Sequence, residues 1–192
     1  MTKPTFDPIA EAIADVEGVP EAFAEAFKAP EGEKQPRELV IICYSGDLEK
    51  TWASLILAST AAASGTPTKM FLTFWGLQTF VKDEVRITGR NWMQKMMSVM
   101  QRPGISHRKL SKMNFMGMGP WMMGSLAKQY GVAKPKELLE AAMALGVELM
   151  PCQMTMDMFG LKKEDMIDGM GEPVGAATVI ELLANGAAPL FI

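Results

Sequence analysis

Two thiols in this chain each close an apolar run. Cys152 ends Val147-Glu148-Leu149-Met150-Pro151 and precedes the polar, Met-rich string Gln153-Met154-Thr155-Met156-Asp157. Cys43 ends Leu39-Val40-Ile41-Ile42. Such a run followed by a polar segment reads as a buried strand handing over to a helix, where open α/β sheets put their chemistry. Free N–H groups at the helix start favour negative charge, so a thiol held there ionises and becomes nucleophilic. Thr155 is expected to cap the short helix, with Gln153 beside the sulfur. Asp157 would oppose ionisation if its carboxylate faced the sulfur. A buried, inert cysteine packing as a small hydrophobe is the alternative.

A second constellation follows Cys43. The loop Tyr44-Ser45-Gly46-Asp47 runs into a helix whose first turn carries Lys50 and Thr51. Gly46 permits a tight turn, and the helix start offers amides to an anionic ligand or a persulfide. It is neither a P-loop nor a GxGxxG string, and simple capping by Ser45 or Asp47 is the other reading. If the two cysteine-bearing strands were neighbours, Cys152 could attack and Cys43 resolve, since adjacent strands lie ~4.8 Å apart. Trp75, just past the second strand, would be a wall of that crevice or plain core.

The elements that must position these groups are readable in order. Strand Leu39–Cys43 is apolar throughout, as a strand covered on both faces should be. A helix is expected from about Leu48 to Ser64, stopped by Gly65, then strand Thr68–Thr73. Pro135 opens and Gly146 closes a helix over Leu138–Gly146 before strand Val147–Cys152. A helix near Gly175–Ala184 and strand Pro189–Ile192 finish the body. Alternation of this kind predicts a flavodoxin-like α/β fold, a parallel sheet with helices on both faces. Its simplest winding sets the first strand beside the Cys152 strand. Residues 1–36 form an acidic helical arm and linker, and 37–192 the α/β domain, with a Met-rich helical insertion over about 75–134. Within that insertion Met93, Met96, Met97 and Met100 share one helical face, which reads as packing rather than as a thioether metal site.

The chain has 192 residues, 48% of them hydrophobic, enough for one well-buried core. Its net charge of −3 hides a split. Residues 1–36 carry three basic and eight acidic side chains, whereas residues 81–130 carry nine basic and two acidic. That asymmetry suggests an anionic partner for the central region, docking of the acidic arm onto it, or simply two solvated faces. The N-terminus lacks a secretory layout, and the longest apolar run, Trp52 to Ala63, is shorter than the ~20 residues a bilayer requires. A cytoplasmic protein with reactive or buried thiols is the expectation, with no bound cofactor and no nucleic-acid partner. The single histidine, His107, makes a zinc site or a Cys-His hydrolase a poor fit.

The strings LVIICYSGDLEKTWASLILASTAAASG, KMFLTFWGL, LSKMNFMGMGP and GVELMPCQMTMDMFGL resemble the DsrE/DsrF/DsrH-like family, specifically its Met-rich branch, sometimes labelled peroxiredoxin family. The resemblance covers roughly residues 38–192. It implies a flavodoxin-like domain that forms a homo-oligomer and carries a persulfide on the cysteine after the late strand. Here that is Cys152, loaded by a TusA-like or rhodanese-like donor. Cys43 falls in the ICYSGD string typical of that branch, but a chemical role for it is inferred from its place at a strand end and not from the family. The Met-rich insertion departs from the smaller family members, and its apolar face could contact a membrane surface peripherally.

These readings lead to a sulfur carrier or sulfurtransferase acting through Cys152. A non-catalytic oligomeric protein binding an anionic metabolite or nucleotide-like ligand stands beside it. Peroxidase chemistry is a third option, and it needs an activating cation such as Arg86 or Arg90 brought close by the fold.

Overall fold

The computed structural model describes residues 38–192; the arm and linker read over residues 1–36 lie outside them. Strands β1 (Leu39–Cys43), β2 (Thr68–Leu72), β3 (Glu148–Pro151) and β4 (Ala188–Phe191) make one parallel sheet in the order β3-β2-β1-β4. The helices are α1 (Leu48–Ala63), α2 (Phe74–Thr79), α3 (Trp92–Met100), α4 (Met118–Gln129), α5 (Pro135–Ala144), α6 (Gln153–Phe159) and α7 (Ala176–Ala184). This is the expected class, a flavodoxin-like parallel sheet with helices on both faces. Among the described residues, each regular element read from the sequence is present within a few residues of its expected ends.

Strand side chains alternate between faces, and the core divides accordingly. Ile41, Cys43, Met70, Leu72 and Leu149 face Leu55 and Ala58 of α1 and Leu139 and Ala142 of α5. Val40, Phe71, Met150 and Cys152 face Val179 of α7. Handedness explains the split. Right-handed crossovers from β1 to β2 to β3 advance in one direction and keep α1 and α5 on one face. The connection from β3 travels back past β2 and β1 to β4, so α7 must cover the other face. The reversal puts the topological switch point between β1 and β4.

That winding corrects one expectation. β1 pairs with β2 and β4, whereas β3 pairs with β2 alone among the named strands. The two cysteine strands are therefore separated by β2, two strand spacings or ~9.6 Å between axes. A second correction concerns the Met stripe of α3. Met93 and Met96 are exposed and Met100 is 72% exposed, so only Met97 of the four packs against the core. α3 is held instead by Gln94, whose side-chain amide donates to the carbonyls of Asp157 (3.2 Å) and Met158 (3.1 Å). No helix of the described residues is long and apolar enough to cross a membrane.

Candidate functional site at the carboxyl end of the sheet

Cys152 stands where β3 ends and α6 begins. Its N–H donates to the Leu72 carbonyl (2.9 Å), continuing the ladder, and its extended backbone makes it the N-cap residue of α6. The sulfur makes no capping hydrogen bond. The chain then lays residues 171–174 along the open side of β3. Gly171 N–H donates to Leu149, Val174 N–H to Pro151 and Gln153 N–H to Val174, at 2.9, 2.9 and 3.0 Å. Cys152 is 3% exposed, packed in the α7 face cluster with Val40, Phe71, Met150 and Val179. The thiol is thus at a helix start as expected, but buried beside Val174 and in one cluster with Val179 of α7.

Thr155 does not cap α6. It is fully buried, and its hydroxyl accepts the Phe74 N–H (3.1 Å) and pairs with the Thr73 hydroxyl (3.2 Å). The residue ties α6 to the end of β2 because Phe74 turns there with φ of 45°, an unfavourable region for a bulky residue. Gln153 is on the surface, its amide donating to the Asp157 carboxylate (2.9 Å), which turns that charge toward solvent.

Cys43 faces the opposite side of the sheet from Cys152. It is 3% exposed, and burial pushes its thiol up to about 12, against a smaller lowering by the Ser54 hydroxyl. Both cysteines are free. The resolving role read for Cys43 is therefore corrected by three facts together: an intervening strand, an opposite face and a protonated sulfur. At pH 8 only about one part in ten thousand of a thiol with that pKa is ionised. Native alkylation should accordingly spare Cys43 up to strongly alkaline pH, with modification rising only as pH nears 12 or as denaturant opens the core. Peptide mapping after iodoacetamide treatment checks this, and brisk labelling of native Cys43 near neutrality would contradict it.

The loop Tyr44–Asp47 is more self-satisfied than its sequence suggests. The Ser45 hydroxyl donates to the Asp47 carboxylate (2.9 Å) and accepts the Asp47 N–H (3.2 Å). Lys50 Nζ reaches the same carboxylate at 2.8 Å, an exposed pair that raises the lysine pKa by hydrogen bond and charge. Thr51 is buried in the α1 interface. Tyr44 N–H donates to Ile192 (2.8 Å), joining β1 to the end of β4, and its ring meets Phe74 and Phe191 at 5.5 and 6.0 Å. Trp75 is half-buried and packs on Phe159 at 5.2 Å, so core packing accounts for it. Arg86 is exposed, and Arg90, also exposed, lines a cleft with Asp157 and Lys162 that Cys152 does not enter.

Two neighbours escaped the sequence reading. Arg108 is 5% exposed and lies against this same loop, although it follows Asp47 by some sixty residues. Burial brings it down to about 10, opposed by Asp47 and Asp83, so it stays cationic at neutral pH. Val174 also came unannounced, as the strip that seals Cys152. The signal for Arg108 was the dense basic run His107-Arg108-Lys109; nothing in Pro173-Val174-Gly175 marks a strand.

The sequence model of the DsrE/DsrF/DrsH-like family matches residues 35–191. The chain belongs to that family. It is 35% identical over 159 residues to the Bacillus subtilis (strain 168) protein named Uncharacterized protein YrkE, covering 83% of this chain and 99% of that protein. It is also 35% identical over 161 residues to Sulfur carrier protein DsrE2 of Allochromatium vinosum, covering 82% of this chain and 99% of the relative. Among solved structures, the ychN protein from E. coli aligns with a TM-score of 0.49 at 14% identity, covering 81% of this chain and 99% of that one.

Proposed function

We propose that this protein is a sulfur carrier that holds sulfane sulfur as a persulfide on Cys152 and passes it to an acceptor thiol. Family membership and a relative named as a sulfur carrier support a sulfur-related role. The observation that carries the choice of residue is the position of Cys152 as N-cap of α6 at the carboxyl end of β3, beside first-turn amides with no partner inside the helix. The other cysteine is shut in and protonated.

In the transfer, the Cys152 thiolate attacks the outer sulfur of a donor persulfide. A new Sγ–S bond forms, the donor S–S bond breaks, and the donor departs as a thiolate. An acceptor thiolate then attacks the outer sulfur on Cys152 and releases the Cys152 thiolate. Neither step needs an oxidant or reductant. The donor on this reading is a TusA-like or rhodanese-like protein, and the setting is the cytoplasm, where free thiols persist. Exposed Trp92, Phe115, Trp121 and Phe191 support assembly as a homo-oligomer. The test is incubation of the reduced chain with a small-molecule persulfide, followed by intact mass and peptide mapping. A gain of one sulfur on Cys152 is expected; free Cys152 with no adduct would sink the reading.

At 3% exposure the sulfur must be uncovered before it reacts. Val174 pairs with Cys152 from the open side of β3, and Val179 of α7, itself 4% exposed, belongs to the same buried cluster as the sulfur. Val179→Ala loosens that cluster by ~1–2 kcal/mol, so local opening around the sulfur should become roughly tenfold more frequent. Alkylation of native Cys152 should quicken by that factor while Cys43 stays unlabelled. An unchanged Cys152 rate would mean that access comes by another route.

A further inference from the structure

The sulfur chemistry leaves unused the most basic part of the described residues. Residues 99–111 fold against the loop leaving β1, and a cavity of about 410 Å³ lies between them, lined by Gly46, Asp47, Arg102, His107, Arg108 and Lys109 among others. The volume falls in the range of small-molecule sites. The loop that forms one wall leaves β1 at the β1–β4 switch point, where open α/β sheets collect ligands.

Three observations give this cavity a chemical preference. Arg108, 5% exposed, uses Nε on the Gly104 carbonyl (3.1 Å) and Nη2 on the Arg102 carbonyl, but buried Nη1 has no hydrogen-bond partner among the described residues. A buried charged donor left unbonded is costly and calls for a partner. His107 Nε2 is likewise buried and has no hydrogen-bond partner among the described residues. Asp47, which lines the same cavity, is the cap of α1, 16 residues long, and makes no side-chain capping bond. Leu48 N–H is taken by the Lys109 carbonyl (2.8 Å), and the next first-turn amides have no partner within the helix. Gly46 keeps the approach clear: a Cβ there would lie 3.1 Å from Arg108 Nη1 and 2.6 Å from the Trp75 carbonyl oxygen.

The nearby carboxylates are already engaged. Asp47 is held by Ser45 and Lys50, Glu49 by Ser111, and Asp83 by Ser106. Among the described residues, Arg102, Arg108 and Lys109 thus line the cavity with Asp47 as the only acidic side chain. We propose that this cavity binds an oxyanion of the phosphate or sulfate class, held by Arg108 Nη1, by His107 in its Nε2–H tautomer and by the start of α1. The site is distinct from the Cys152 thiol and does not depend on sulfur loading.

The test titrates the full chain with inorganic phosphate, inorganic sulfate and glycerol phosphate at constant ionic strength, by calorimetry and thermal shift. Saturable binding is expected, weakened about tenfold or more by Arg108→Met. Because Arg108 also ties its own loop together, a second variant, His107→Ala with Lys109→Met, keeps the Lys109 carbonyl bond to α1 and decides the matter if Arg108→Met fails to fold. Tighter binding of glycerol phosphate assigns the site to a phosphorylated metabolite, and equal affinity assigns it to the free anion. Absence of saturation by roughly 10 mM of every probe, or affinities unmoved in the folded variants, overturns the proposal. Cys152→Ser should leave each affinity unchanged, so failure of sulfur loading and failure of anion binding are read separately.

Discussion

Cys152→Ser should lose sulfane-sulfur uptake completely, whereas Cys43→Ser should retain it. The contrast follows from two thiols in different surroundings on one sheet. Cys152 ends β3 at the first turn of α6, on the face of the sheet that holds Val179. Cys43 is enclosed by the α1 face of the core and stays protonated across the physiological range, with its pKa near 12. Serine cannot form a persulfide, so the loss follows from the identity of the side chain alone. Mass spectrometry after donor treatment, with thermal melting to confirm folding, makes the comparison. Uptake surviving in Cys152→Ser and vanishing in Cys43→Ser would reverse the assignment.

Gly76→Ala should be the most damaging single-methyl change near the site, at ~3 kcal/mol. The Gly76 N–H donates to the Tyr44 carbonyl (2.9 Å), which draws α2 hard against the end of β1. A Cβ at this position would lie 2.2 Å from the Cys43 carbonyl oxygen and 2.7 Å from its carbon. Both are main-chain atoms of a central strand and cannot rotate aside, so either α2 lifts or β1 shifts. Lifting α2 also strains the Phe74 N–H bond to Thr155 and hence the start of α6. Urea unfolding should show a lower midpoint with an unchanged slope, and wild-type stability would count against so tight a contact.

The regular elements were accessible from sequence because each carries a local signal. Leu39–Cys43 is unbroken in apolar character, Gly65 and Gly146 stop helices, and Pro135 starts one. The position of Cys152 at a strand-to-helix junction was equally local. The Met stripe of α3 misled for a related reason. Periodicity says that four methionines share a face, but not whether that face meets the core, and Gln94 rather than Met holds this helix in place.

Strand order, by contrast, is written nowhere in the local pattern. An apolar strand accepts any parallel neighbour, and the choice of β2 between the two cysteine strands depends on the summed packing of α1, α5 and α7 over both faces. Side-chain parity then turns Cys43 and Cys152 to opposite sides. The company kept by Asp47 and Gly46 is of the same kind, since Arg108 arrives from a distant loop. Residue identity and short-range spacing were enough to place Cys152 at a strand-to-helix junction and to give the class of fold and the helix starts. Which groups meet, which sulfur is sealed and where a buried guanidinium points were left to long-range packing, because those outcomes arise from contacts between segments whose sequences carry no record of each other.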